Sequence, residues 1–430
     1  MQQASRNNGN LTSLLLIGLL FSIFGFVTWL NGTLIKFLKA ACELNHREAS
    51  LVTFAFFISY FIMALPSSAL LRKTGFKRGM SLGLLVMAAG CLVFLPAAWQ
   101  RSYPLFLTGL FTQGLGLAIL QTASNPYVTI VGPIESAAKR ISLMGICNKL
   151  AGALGAIVLA QILLNPLDNL NAHLATVADP AEKTALLDAL TARIITPYSI
   201  LALFLALTAV AIRFSPLPDV QDDEGPAAAG TLPAGRSLGS YTYLWLGALA
   251  IFAYVGAEVL AGDYIIQYGT YLGEQTGDET LKQFANYLTS LTLFLMLAGY
   301  GLGVLLTPGI ISQERALRIN VVCSIILAAG VLATTGKASV CCLALLGFFH
   351  AIMWPAIWPM SIKGLGRHTK TGSALLVMGI AGGAVIPSMQ GILADSYGGN
   401  MQKAFWVLIP CYLYLLFFAV RGHRIGYREM

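Results

Sequence analysis

The chain has 430 residues, of which 57% are hydrophobic and only 11% charged, with a formal net charge of +8. A soluble domain carries about 25% charged residues, so this composition excludes a soluble fold. Most of the chain has to lie in lipid.

Crossing a bilayer takes ~20 apolar residues, and in lipid a helix satisfies its own backbone. Apolar runs of that length predict twelve helices, at 11–38, 48–71, 79–98, 104–131, 142–164, 195–213, 241–270, 284–307, 316–335, 338–362, 372–394 and 403–420. The first run continues into Trp29-Leu30-Asn31-Gly32 with no small-residue cleavage site after it. It reads as a first span, not as a removable signal peptide. Seven scattered cysteines without C-x-x-C spacing read as small apolar side chains, so no metal, redox centre or other cofactor is expected.

Basic residues concentrate in alternate loops, although the first loop holds Lys39 and Arg47. Arg72, Lys73, Lys77 and Arg78 fill the second, Lys139 and Arg140 the fourth, Arg315 and Arg318 the eighth, and Lys363, Arg367 and Lys370 the tenth; Arg421, Arg424 and Arg428 follow the last span. The positive-inside rule then puts the even loops and both termini in the cytoplasm of a bacterial inner-membrane protein. These cations serve as topology anchors and do not form a nucleic-acid surface.

The long polar break at 214–240, with Pro216, Pro218, Asp222, Asp223, Glu224 and Pro226, has linker composition. It divides the chain into a six-helix half at 1–214, a cytoplasmic linker at 215–239 and a second six-helix half at 240–430. A second polar insert, 165–194, predicts a short surface helix after Asp179-Pro180. The halves carry matching signals. Span four holds Gln121-Thr122-Ala123-Ser124-Asn125-Pro126, and span ten holds Trp354-Pro355 and Trp358-Pro359. Each is followed by glycines, a basic pair and a small-residue helix. Paired proline-broken helices in two matching halves are the organisation of a secondary transporter. Gly379-Ile380-Ala381-Gly382-Gly383 lacks the strand–turn–helix setting of a nucleotide loop and reads as a helix-packing surface.

The stretch from Leu120-Gln121-Thr122-Ala123-Ser124-Asn125-Pro126-Tyr127 to Gly145-Ile146-Cys147-Asn148-Lys149 resembles the fucose–proton symporter branch of the major facilitator superfamily, and within it the bacterial glucose/galactose transporters. Trp29-Leu30-Asn31-Gly32-Thr33-Leu34, Gly256-Ala257-Glu258 with Tyr264-Ile265-Ile266-Gln267-Tyr268, and Ile362-Lys363-Gly364-Leu365-Gly366 agree in order. The resemblance implies an all-α, twelve-helix carrier that imports a hexose with a cation. The fucose members carry carboxylates in spans one and four, where this chain has Gly32 and Gln121. Neither residue titrates, so that proton pathway does not transfer.

Sugar hydroxyls donate and accept, so a sugar site needs amides, carboxylates and aromatic faces around a wet cavity. The candidates are Trp29 and Asn31 in span one, Gln121 and Asn125 one turn apart in span four, Asn148 in span five, Tyr264 and Gln267 in span seven, Asn286 at the start of span eight, and Trp354 and Trp358 in span ten. The resemblance implies sugar recognition by Asn148 and an aromatic face at Trp354. Ionisable groups within spans are costly and mark function. Lys149, Glu258, Asp263 and His350 are the coupling and gating candidates; Glu258 and Asp263 are both acidic partners open to Lys149, and a Lys149–Glu258 contact would act as a switch. The coupling ion is left as H+ or Na+. N-acetylglucosamine transport, uncoupled facilitation, export of apolar compounds and a membrane enzyme are the competing readings. The expected partners are a sugar and membrane lipid, with the chain acting as a monomer.

Overall fold

A computed structural model of the protein describes residues 2–130, 137–165, 177, 179–215, 237–307, 309–365 and 368–426. The side chains of 2–14, 72, 125–127, 129, 130, 137–140, 369 and 370 also lie outside the described residues. The architecture is all-helical. Among the described residues, 11 helices are long and apolar enough to cross a membrane, or 12 when a bent pair counts as one span. The chain is a multi-pass membrane protein.

Local sequence sets several helix ends. Asn45 and Glu48 form a reciprocal capping box at the start of span two, with bonds of 2.7 and 2.9 Å. Asp179 caps the predicted surface helix, Pro180–Ala192, by accepting from Ala181 N–H at 3.0 Å. Spans two and three meet at Gly75, whose φ of 75° lies in the left-handed region that glycine tolerates.

Several spans are broken, spans one, seven and ten among them, and not all where prolines predict. Span one is two helices, Gln2–Trp29 and Asn31–Ala41. Span seven, expected to be continuous over 241–270, is Thr242–Gly262 followed by Ile265–Thr276. Span ten is Gly336–His350 and Met353–Ile362, bent by 40° just before Trp354-Pro355. Span four does not break at Pro126: its backbone is helical from Tyr103 to Ile130. A proline removes one hydrogen bond, and a transmembrane helix tolerates that loss when its neighbours compensate.

Small residues let the broken spans pack closely. A Cβ at Gly25 would run into the Asn148 carbonyl, bringing span one onto span five. A Cβ at Gly382 would run into the Phe252 carbonyl, bringing span eleven (Thr369–Gly379 and Gly382–Ser396) onto span seven in the same way. Across the molecule, span five (Ala137–Leu159) packs on span eight (Leu288–Leu306), and span two packs on span eleven. The predicted linker lies largely outside the described residues, which omit 216–236, as does the start of the 165–194 insert.

Candidate functional site: a cavity between the two sets of six spans

The break in span one leaves Trp29 at a helix end, where its ring crosses between the two sets of spans. The indole Nε1 donates to Asn148 Oδ1 at 3.4 Å, and Asn148 Nδ2 donates to the Phe21 carbonyl at 3.3 Å. Gly152 and Gly262 give the ring its room, since a Cβ at either would strike it. Lys149 Nζ sits 4.2 Å from the ring centroid, within cation–π range. The same ammonium bonds Glu258 Oε1 at 2.9 Å, joining span five to span seven. Tyr254, one turn before Glu258, donates its hydroxyl to the same oxygen at 2.7 Å. Both charged side chains are nearly buried, at 8% and 11% exposure, so neither charge could stay there without the other.

These groups border a cavity of about 710 Å³. Trp29, Asn148, Lys149 and Glu258 line it, together with Gln121, whose Nε2 donates to Tyr60 Oη at 3.0 Å. Trp354 and Trp358 line it from span ten, stacked at 5.2 Å with 26° between their planes. Polar donors, acceptors and flat aromatic faces converge here, as a polyhydroxylated ligand requires.

The cavity continues toward the end of the molecule that carries the basic loops, past Ile141, Ser142, Thr307 and Gln313. The opposite end is held shut by hydrogen bonds between the first six spans and the last six. Lys36 Nζ donates to Asn286 Oδ1 at 2.7 Å, and Thr53 Oγ1 and Tyr264 Oη lie 3.0 Å apart. Ser290 Oγ donates to the Ala153 carbonyl at 2.9 Å, and Arg47 N–H to Asp395 Oδ2 at 3.0 Å. Gly32 N–H donates to Asp263 Oδ1 at 3.1 Å. A cavity open at one end and latched at the other is one half of an alternating-access cycle.

A family model described as the Major Facilitator Superfamily matches residues 16–378. The chain belongs to this superfamily. It is 37% identical over 411 residues to the glucose/galactose transporter of Brucella abortus, covering 94% of this chain and 93% of that protein. It is 33% identical over 409 residues to the L-fucose-proton symporter of Escherichia coli, covering 93% and 90%. Among solved structures it resembles the superfamily transporter FucP in the outward conformation, with a TM-score of 0.73 and 26% identity over 98% of this chain and 100% of that one. The chain is therefore a transporter by family.

Within this superfamily fold, the residues expected to form the site divide. Trp29, Gln121, Asn148, Lys149, Glu258, Trp354 and Trp358 meet at the cavity. Asn31, Tyr264, Gln267 and Asn286 do not line it. The breaks in spans one and seven put Asn31, Tyr264 and Gln267 at the closed end, and Asn286 reaches it from the turn that starts span eight; Tyr264 and Asn286 make the bonds given above, and Asn31 and Gln267 are buried. Asp263 is at the same level, beside Gly32. His350 does not share a stripe with Trp354 and Trp358. The bend after His350 buries it against Tyr412, with Nε2 at 2.8 Å from the hydroxyl. The side chain of Asn125 lies outside the described residues.

The sequence reading missed Phe57, Tyr60, Tyr254 and Tyr300, which also line the cavity. Tyr254 had a usable signal: it stands four residues before a carboxylate within one span. Tyr60 and Tyr300 are single tyrosines on apolar helices, with no local pattern to separate them from packing residues.

Proposed function

We propose that the chain imports a hexose, glucose or galactose, across the bacterial inner membrane together with a cation. The observation that carries this reading is the tryptophan- and amide-lined cavity built around the Lys149–Glu258 pair, in a chain whose relatives are named glucose/galactose transporters. Residues 1–214 and 240–430 act as the two rocking units, with 215–239 as the linker between them, and the carrier works as a monomer. The basic end faces the cytoplasm, following the charge bias of the loops. The cavity then opens inward, and the hydrogen-bonded end is the outer gate.

In this reading the sugar stacks on Trp354 and Trp358, and Asn148 and Gln121 supply amide donors and acceptors. The Asn148 bonds to Trp29 and Phe21 are long, at 3.4 and 3.3 Å, and exchange readily for shorter bonds to sugar hydroxyls. The Lys149–Glu258 pair ties the two units together at the cavity and loosens when a hydroxyl competes for Glu258. The relative named as a proton symporter favours H+ over Na+ as the coupling ion.

Uptake of labelled glucose into proteoliposomes, with a proton gradient, a sodium gradient or neither, tests the reading. Accumulation above equilibrium under the proton gradient is the expected result. Equilibration alone would make the protein a facilitator, and no uptake of glucose or galactose under any condition would refute hexose transport.

A further inference from the structure

This inference rests on the transport reading above and concerns how the outer gate closes. Asp263 ends the first helix of span seven. Its Oδ1 accepts from Gly32 N–H, the second residue of helix Asn31–Ala41. That helix has no cap of its own, because Leu30 stands at its N-cap position without a side-chain acceptor. Asp263 therefore caps, across the gate, a helix that belongs to the other six spans. The approach is close: a Cβ at Gly32 would lie 2.9 Å from both the Cα and the carbonyl oxygen of Asp263, and 3.0 Å from Thr289 Oγ1. Thr289 in turn donates to the Gly262 carbonyl at 2.5 Å.

The second carboxyl oxygen has no such support. Asp263 is fully buried, and its Oδ2 has no hydrogen-bond partner among the described residues. An ionised carboxylate accepts at both oxygens. The charged groups that act on Asp263 are Lys149 and Glu258, which already neutralise one another at 2.9 Å. Tyr264, next in the chain, shares its hydroxyl with Thr53. Lys36, one turn beyond Gly32, is engaged by Asn286. One N–H and a helix terminus return less than it costs to dry a carboxylate without a counter-charge. A carboxylic acid keeps the Oδ1 acceptor for Gly32 and carries no charge into the seal.

We propose that Asp263 is the proton-binding site that closes the outer gate. Ionised, its carboxylate keeps that end hydrated and open. When one proton from outside water adds to Oδ2, the neutral side chain docks on Gly32 N–H and the two sets of spans seal. The proton is thus taken up at the gate from outside water, and for import to be driven it leaves Oδ2 toward the cavity on the basic side before the gate reopens.

Two readouts test this. Asp263→Asn keeps an acceptor oxygen and mimics the neutral acid. In proteoliposomes its counterflow of labelled sugar should be slowed, because the neutral side chain favours the shut outer gate, the remaining counterflow should not depend on external pH, and its proton-driven accumulation should fall to the equilibrium ratio. Accumulation that persists in this variant overturns the proposal, as does counterflow that follows external pH as in the parent protein. The second readout needs no sugar and no variant: deuterium exchange over residues 29–38 in the full-length protein, corrected for its intrinsic pH dependence. Protection should fall by about tenfold or more between about pH 5 and about pH 9 as the ionised gate opens. Protection that does not change with pH overturns the proposal. Loss of protection with rising pH, in a protein that moves neither glucose nor galactose, would sustain the gate and refute the hexose reading.

Discussion

Removing one member of the Lys149–Glu258 pair strands the other. At the observed 2.9 Å and an effective dielectric near 20, two unit charges attract by ~6 kcal/mol. Much of that attraction offsets the drying of two groups that keep only 8% and 11% exposure. The net value of the pair is therefore small, but the cost of breaking it is not. Neutralising one partner of a buried pair costs about 3–5 kcal/mol, and water in the open cavity brings the expectation here to the lower end, about 3 kcal/mol. Lys149→Met and Glu258→Gln should each lower the apparent melting temperature in detergent. The double variant should lie close to the parent protein, because no charge is stranded, so that the coupling energy approaches the sum of the two single losses, about 6 kcal/mol. Tyr254 retains an oxygen to donate to in Glu258→Gln, so its hydrogen bond does not confuse the comparison. The assay is a thermal-unfolding cycle of all four proteins in one detergent. A double variant whose loss equals the sum of the single losses, to within about 0.5 kcal/mol, would refute the pairing and the role built on it.

Asn148→Ala should weaken sugar binding by about 1–3 kcal/mol through lost buried hydrogen bonds, measured by calorimetry; unchanged affinity would remove Asn148 from the sugar site. Gly25→Ala should abolish monodisperse protein on size exclusion, because its Cβ would overlap the Asn148 backbone, whereas Gly301→Ala, with nothing within 4 Å, should behave as the parent. In the exposed turn after span seven, the hydrogen bonds from Lys337 and from the Leu281 N–H hold the Asp278 carboxyl below its ordinary range. That contribution to stability is fully present above the ordinary carboxylate range and is lost as pH falls through the depressed value. Melting temperature against pH should therefore show a shallower acid limb in Asp278→Asn.

The membrane-spanning architecture was legible because lipid imposes a local rule. Each span needs an apolar run of fixed length, so counting runs locates twelve of them, and the polar 165–194 insert with its Asp179-Pro180 start announces a surface helix that forms from Pro180 to Ala192. Ionisable residues within those runs stood out for the same reason, and Lys149 and Glu258 do meet at 2.9 Å although 109 residues separate them. The composition of the runs did not reveal which polar groups share a space. Asn31, Tyr264 and Gln267 have the same chemistry as the cavity residues, and only the breaks in spans one and seven move them to the closed end. Those breaks carry no proline signal, whereas Pro126, which does, leaves its backbone helical. The contact between Asp263 and Gly32 is of the same kind. It joins positions 231 residues apart through a backbone approach that the absence of a Cβ at Gly32 permits, and the packing of twelve spans brings the two together. Burial of apolar length is written residue by residue along the chain, but the partners of buried polar groups are set by how the helices cross.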